Sequence, residues 1–137
     1  MYTFEVPGTP VAKPRPRAMA TKKGNIRMYT PTNSKNFEFR IADLAKKIFD
    51  KPIKVPVKVK ITFLMHRPRK YIWKTKPMPR IPCDKRPDID NLFKSVVDGL
   101  NGIAFLDDGQ IVEMNVLKLY HSGNEGPKTI IEVDTYD

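Results

Sequence analysis

Hydrophobic and polar residues alternate in four segments of the chain, a pattern typical of half-buried β-strands. These predicted strands cover residues 2–6, 58–65, 111–120 and 129–133. Pro7-Gly8 closes the first strand, and a polar turn over residues 122–126 joins the last two. Residues 104–106 add a short extended piece, followed by a turn at Asp107-Asp108-Gly109.

Two further segments have the periodicity of helices. The first begins near the capping residues Thr32, Asn33 and Ser34 and stops before Pro52. Its apolar face comprises Phe37, Ile41, Leu44, Ala45 and Ile48. The second covers residues 89–100, with Asn101-Gly102 as its stop signal. Its buried face is expected to contain Ile89, Leu92, Phe93, Val96, Val97 and Leu100.

The element order is therefore β-α-β-loop-α-β-β. This order predicts an α/β fold of the α+β sandwich type, with two main helices packed on a mixed sheet of about four to five strands. The length of 137 residues predicts a single domain spanning residues 1–137.

Charge is distributed unevenly along this predicted domain. Residues 1–87 contain 22 basic and 5 acidic side chains, whereas residues 88–137 contain 3 and 10, and the whole chain has a formal net charge of +10. The basic half is concentrated in two stretches. An arm over residues 13–27 has six cations and no anion, and its prolines exclude a helix, so we expect an extended arm or hairpin that turns near Gly24-Asn25. A Pro-rich loop over residues 66–87 interleaves cations with Tyr71 and Trp73.

The arm has no acid and the loop has only Asp84, so their cations are candidates for phosphate contact, and the two aromatic rings could stack on unpaired bases or pack on the core. The candidate nucleic-acid contacts are Lys13, Arg15, Arg17, Lys22, Lys23, Arg27, Arg67, Arg69, Lys70, Tyr71, Trp73, Lys74, Lys76, Arg80, Lys85 and Arg86.

Other classes of protein are disfavoured. The single cysteine, Cys83, cannot form an intramolecular disulfide, and with only two histidines it cannot complete a zinc site. No apolar stretch has the length of a membrane span, and the first residues lack the form of a signal peptide. We therefore expect a soluble, intracellular protein of a reducing compartment such as the cytoplasm.

Acidic residues cluster where the second helix begins and again at the later turn. Asp88 and Asp90 precede Lys94 by two and one helical turns, and Asp107-Asp108 follow the helix. If Ile89 points into the core, the two flanking carboxylates emerge together, and seven residues are enough for the chain to return toward them. Clustered carboxylates suit Mg²⁺ or Mn²⁺, and a basic surface would hold a polyanion beside them. Capping of the helix by Asp88 is the structural alternative. The residues alone leave a metal-dependent nuclease and a non-catalytic nucleic-acid binder both open.

Three stretches of the chain are specific enough to indicate a family. Residues 86–94 (Arg-Pro-Asp-Ile-Asp-Asn-Leu-Phe-Lys), 98–101 (Asp-Gly-Leu-Asn) and 105–112 (Phe-Leu-Asp-Asp-Gly-Gln-Ile-Val) closely resemble the RusA family of Holliday junction resolvases. The upstream segments 8–11, 13–17 and 29–31 look like the form found in Gram-positive bacteria and their phages. The loop over residues 67–86 is longer and richer in proline than in the family's enterobacterial prototype.

The resemblance implies a Mg²⁺-dependent homodimeric endonuclease that resolves four-way DNA junctions in recombination and repair, in a bacterial or phage-infected cell. Asp88, Asp90 and Asp108 match the family's catalytic carboxylates, and Lys94 matches its essential lysine. Asp107 is the adjoining acid, so the implied metal ligands are Asp88, Asp90, Asp107 and Asp108, with Mn²⁺ as a possible substitute for Mg²⁺. A metal-dependent nuclease for another branched or structured nucleic acid would use the same residues.

Overall fold

A computed structural model describes the backbone of residues 1–14, 17–20, 26–29 and 32–137, and the side chains of residues 1–14 and 33–137. The strands are β1 (Tyr2–Pro7), β2 (Arg17–Ala20), β3 (Ile26–Tyr29), β4 (Val57–Met65), β5 (Ile81–Pro82), β6 (Ile111–Tyr120) and β7 (Lys128–Thr135). The helices are α1 (Thr32–Ile48) and α2 (Ile89–Leu100). Two single 3₁₀ turns lie at Arg69–Tyr71 and Asp108–Gln110. No helix of the described chain is both long and apolar enough to cross a membrane.

Five strands form one mixed sheet in the order β1-β7-β4-β6-β5. The pairs β1–β7, β7–β4 and β6–β5 are antiparallel, whereas β4 and β6 are parallel. Parallel neighbours need a crossover connection, which α2 and the preceding loop provide. The predicted α+β class, mixed sheet and two helices are confirmed.

The predicted hairpin arm is also confirmed in its backbone. Strands β2 and β3 pair antiparallel, with Arg17 opposite Tyr29 and Ala20 opposite Ile26. The predicted turn at Gly24-Asn25 lies outside the described residues.

The core lies between the sheet and the two helices. Helix α1 buries Phe37, Ile41 and Ala45, as predicted. Ile48, predicted to be buried, is 39% exposed, and Phe49 is buried in its place. Phe49 continues the Ile41–Ala45 face at a spacing of four, and its larger ring stacks on that of Tyr2 with centroids 4.3 Å apart.

Helices α1 and α2 cross closely because α2 has a glycine at the contact. A Cβ atom on Gly99 would lie 2.9 Å from Cγ2 of Ile41 and 3.0 Å from the carbonyl oxygen of Glu38. These distances are too short for any larger residue without movement of α1. The crossing fixes α2, and with it the acidic residues at its beginning, relative to the sheet.

Strand β6 has an open outer edge over most of its length. Strand β5 pairs only with Tyr120 and Leu119, so within the described chain residues 111–118 have no partner strand on that side. Several exposed apolar side chains lie on this strand, on the segment before it and at the beginning of α2. They are Ile89 (39% exposed), Leu106 (56%), Val112 (56%), Met114 (62%) and Leu117 (44%).

Candidate active site

The first candidate carboxylates lie at the beginning of α2. Asp88 is in the N-cap position with extended backbone (φ −69°, ψ 143°), but its side chain makes no capping hydrogen bond. Asp90 lies in the first helical turn, and both side chains are exposed. Ile89 is also exposed, so the expectation that it points into the core is wrong. Helix capping by the side chain, which was the structural alternative for Asp88, is not observed.

Lys118 holds the segment before α2 in place. Its ammonium group donates to the carbonyl oxygens of Lys85 at 2.6 Å and Pro87 at 2.7 Å. Sequence reasoning missed this residue. The alternation along β6 gave a signal for its role. Lys118 lies two residues from Val116 and from Tyr120, so the three side chains are on the same side of the strand, which faces the helix layer. A lysine on that side must find acceptors, and it finds them directly before Asp88.

The second acidic pair lies in a turn with a rigid hydrogen-bond network. The Asp107 carboxylate accepts from the backbone N–H of Gly109 at 3.0 Å, and the Gln110 side chain accepts from the backbone N–H of Asp107 at 3.0 Å, which completes a capping box. The Gln110 amide also donates to the carbonyls of Ile53 and Val55, which anchors the turn at the beginning of β4. Both side chains are exposed, but one carboxylate oxygen of Asp107 accepts a hydrogen bond within the turn.

The two acidic pairs lie at opposite ends of α2. After α2 the chain reverses tightly at Gly102 (φ +79°), and Phe105 bridges back to Asn101, beside the end of the helix. The twelve residues of α2 span about 18 Å. The expected return of the turn to the start of the helix does not occur, because Gln110 ties the turn to the segment before β4 instead.

No complete metal cluster is formed by the side chains that the structure describes. Among the described residues, no group of three or more histidine, cysteine, aspartate or glutamate side chains is close enough to hold an ion. Carboxylate oxygens on one Mg²⁺ lie about 2.1 Å from it, so a single ion cannot span the length of α2. Lys94 is exposed on α2 and forms no ion pair with any side chain that the structure describes.

Lys13 forms a structural ion pair, which contradicts its predicted role in DNA contact. Its ammonium group lies 2.9 Å from Glu38 Oε1 and 2.8 Å from Asp98 Oδ2, so it joins α1 to α2. Hydrogen bonds to Asp98 and Glu38 raise the pKa of Lys13 above its usual value. The same contact gives Asp98 a structural role, and we remove Lys13 from the candidate DNA surface.

Arg67 is also structural, because it is 1% exposed. Its guanidinium group donates to the carbonyls of Tyr71 at 2.6 Å, Pro79 at 2.7 Å and His121 at 3.1 Å, and it lies 4.7 Å from the centre of the Trp73 ring. It therefore organises the loop from the inside and cannot reach a phosphate. A basic residue next to a buried strand end was the only sequence signal for this role.

The aromatic rings of the loop are engaged within the protein. The Trp73 ring is also approached by the Lys76 ammonium at 4.3 Å, and Tyr71 packs on Tyr120 with centroids 5.5 Å apart. Lys70 lies 5.0 Å from the Tyr71 ring. These contacts favour the packing alternative over base stacking for both rings.

Arg80 pairs with a carboxylate and so is less available to DNA. Its Nε and Nη2 atoms each lie 2.9 Å from the Glu125 carboxylate, a bidentate contact. This contact lowers the pKa of Glu125 to about 2 and raises that of Arg80.

The remaining candidate cations of the loop are exposed. They are Arg69, Lys70, Lys74, Lys76, Lys85 and Arg86. In the arm, the structure gives only the backbone of Arg17 and Arg27, and Arg15, Lys22 and Lys23 lie outside the described residues.

Comparisons with known proteins define the class of this chain. Residues 7–134 match the family model described as endodeoxyribonuclease RusA. An uncharacterised protein YqaN of Bacillus subtilis (strain 168) is 32% identical over 129 residues, which cover 85% of this chain and 86% of that protein. A crossover junction endodeoxyribonuclease of Lactococcus phage r1t is 27% identical over 139 residues, covering 96% and 97%. The chain belongs to the RusA family of endodeoxyribonucleases and is a nuclease.

Proposed function

We propose that this protein is a Mg²⁺-dependent endonuclease that resolves four-way DNA junctions during recombination and repair. Its family membership and its similarity to a phage protein named as a crossover junction endodeoxyribonuclease support this substrate. The family match spans nearly the whole chain, which supports one catalytic domain over residues 1–137. A DNA substrate of this kind would place the protein at the nucleoid, in the cytoplasm of a bacterial or phage-infected cell.

The observation that carries the proposal is the state of the carboxylates at the beginning of α2. Asp88 occupies the N-cap position without capping the helix, and Asp90 is exposed beside it. Both carboxylates are therefore accessible to a cation, and only one residue separates them in the chain. We assign Asp88 and Asp90 as metal ligands with Asp108, and we assign Asp107 to supporting the turn because its carboxylate is already hydrogen-bonded.

The chemistry of these donors fits Mg²⁺, with Mn²⁺ as a substitute, because hard cations prefer carboxylate oxygens and water. When bound, such an ion would activate water and stabilise charge on the phosphate oxygens. Lys94 lies one turn after Asp90 on the same side of α2, where its ammonium would contact the attacked phosphate. Lys118 would keep Asp88 in place through the Pro87 carbonyl.

A homodimer would bring the separated acids together. The open edge of β6 carries exposed apolar side chains, a combination that favours pairing with another strand. In a two-fold dimer, antiparallel pairing of β6 with its symmetry mate would place the Ile111 end of one strand beside the Tyr120 end of the other.

That pairing would give each site residues from both subunits. Asp108 precedes the Ile111 end of β6, whereas Lys118 near the other end contacts the carbonyl before Asp88. Asp108 of the partner subunit would therefore approach Asp88 and Asp90. Two such sites per dimer, related by the two-fold axis, would cut two strands of a junction at symmetrical positions.

The exposed cations of the loop would bind the DNA around this site, most of them at its phosphates. Arg69, Lys74, Lys85 and Arg86 are exposed, and Lys85 and Arg86 lie within three residues of Asp88. Arg17 and Arg27 on the hairpin, together with Arg15, Lys22 and Lys23, stay candidates for the same surface. Binding that depends on these phosphate contacts should weaken steeply as the salt concentration rises.

The deciding experiment incubates the protein with a synthetic four-way junction, a linear duplex and a single strand, in Mg²⁺ or in EDTA. We expect junction-selective cutting in Mg²⁺ only, and loss of cutting but not of junction binding in Asp90→Asn. Asp43→Asn removes another exposed carboxylate by the same change, on α1 and away from the proposed site, and serves as the matched control that should still cut. Junction binding without cutting in any divalent metal would overturn the proposal and favour a binding protein.

A further inference from the structure

We infer that a cleft directly beside Asp88 is a binding pocket for one unpaired nucleobase of the DNA next to the scissile phosphate. The inference rests on the proposed nuclease function and adds a determinant of sequence specificity. The cleft has a volume of about 320 Å³ and lies at the ends of β4 and β6. The lining residues used below are Pro10, His66, Pro68, Arg86, Pro87 and Tyr120.

The position of the cleft indicates which part of the substrate could enter it. Pro87 forms one wall and is bonded to Asp88, so the wall and the proposed metal ligand are neighbouring residues. A nucleotide whose phosphate lies at Asp88 would carry its base toward this wall. The volume is at the lower end of the range of small-ligand sites, so the cleft suits one planar base and is far too small for a duplex.

The walls are held rigidly, as a preformed pocket requires. The backbone N–H of Lys13 donates to the Asn91 carbonyl at 2.9 Å, which fixes the segment after Pro10 against α2. Lys118 fixes Pro87, and contact with the Cys83 thiol together with burial raises the pKa of Tyr120 to about 12. The contact with Cys83 helps to hold the buried Tyr120 side chain in the wall of the cleft.

The chemistry of the lining favours a base over a sugar or a phosphate alone. Three proline rings and the exposed His66 ring offer flat surfaces, against which a base can stack. Arg86 is exposed and brings only donors, so it selects a base edge that presents two neighbouring acceptors. Guanine offers such an edge with O6 and N7, whereas adenine pairs one acceptor with a donor. The pocket should therefore prefer guanine to adenine.

The test first maps the cut on a junction whose branch point can migrate. The nucleotides flanking the cut are then changed in a fixed junction to guanine, adenine or an abasic site, and cutting rates are compared in Mg²⁺. We expect guanine to be cut about tenfold faster than adenine, and the abasic junction to be the slowest. In Arg86→Lys the guanine preference should disappear. In Arg69→Lys, the same change at an exposed arginine outside the cleft, the preference should persist.

A second arm measures binding of the same junctions in Ca²⁺, so that it does not depend on cutting. Equal affinities and equal rates for guanine, adenine and abasic junctions would overturn the pocket while leaving the nuclease proposal intact. Absence of cutting on every junction, together with guanine-selective binding that Arg86→Lys abolishes, would overturn the nuclease proposal and support the pocket.

Discussion

A mixture of two inactive variants, Asp90→Asn and Asp108→Asn, is expected to cut DNA although neither variant cuts alone. Within one chain these residues lie near opposite ends of α2, which is about 18 Å long, whereas two oxygens bound to one Mg²⁺ lie at most about 4 Å apart. A site shared between subunits takes Asp88 and Asp90 from one chain and Asp108 from the other. In a mixed dimer, one site therefore keeps all three carboxylates and the other site loses two.

The expected recovery follows from counting sites. Equal amounts of the two variants, allowed to exchange subunits, give about half mixed dimers with one complete site each, or about a quarter of the wild-type site concentration. A labelled four-way junction on a denaturing gel should show single nicks at about this level, with few paired cuts. Mixing Asp90→Asn with Asp88→Asn is the control, because both residues belong to the same half-site and no site is restored. If the first mixture cuts no better than its components, the shared site is refuted.

Three further predictions concern the residues that hold the site in place. Arg67→Lys should lower the free energy of unfolding in urea by about 2–3 kcal/mol, because lysine cannot reproduce the three hydrogen bonds of the buried guanidinium; an unchanged midpoint would contradict this role. Since the folded pKa of Glu125 is about 2, its pairing with Arg80 should stabilise the protein above pH 4.5 and lose that contribution between pH 4.5 and 2. The contribution is about 1 kcal/mol because Arg80 is solvent-exposed, and Glu125→Gln should flatten this part of a thermal-unfolding pH profile. Lys13→Met should cost about 1 kcal/mol in urea unfolding but leave the salt dependence of DNA binding unchanged, whereas a reduced salt slope would return Lys13 to the DNA surface.

Local patterns along the chain were enough to predict the helices and most strands. The apolar spacing over residues 89–100 corresponds to α2 with the same bounds, and the alternation over residues 111–120 corresponds to β6. Strand β5 was not predicted, because two residues ending in proline carry no periodicity and pair only through the edge of β6. The local pattern also could not show that Phe49, and not Ile48, is the buried residue. The two are neighbours near the helix end, and packing against Tyr2 decides between them.

The pairing of charged side chains was the feature that could be predicted least well from the sequence. Lys13, Arg67 and Arg80 all belong to strongly basic stretches, yet each finds partners far along the chain: Asp98, the His121 carbonyl and Glu125. A cation is free or paired according to its neighbours in space, which depend on how distant segments meet. The exposure of Arg69, Lys74, Lys85 and Arg86 could be established only in the same way.

The sequence by itself determined the family, the fold class and the identity of the candidate carboxylates, because these depend on residue types at short spacings. Tertiary structure decided the distances between them. The tight reversal at Gly102 and the Gln110 contacts place Asp107 and Asp108 at the far end of α2, and the open edge of β6 provides a surface on which a second subunit could restore the cluster. Spacing along a helix determines which residues share a face. The path of the chain after the helix depends instead on contacts with the segment before β4, which is distant in sequence and so cannot be predicted from a local pattern.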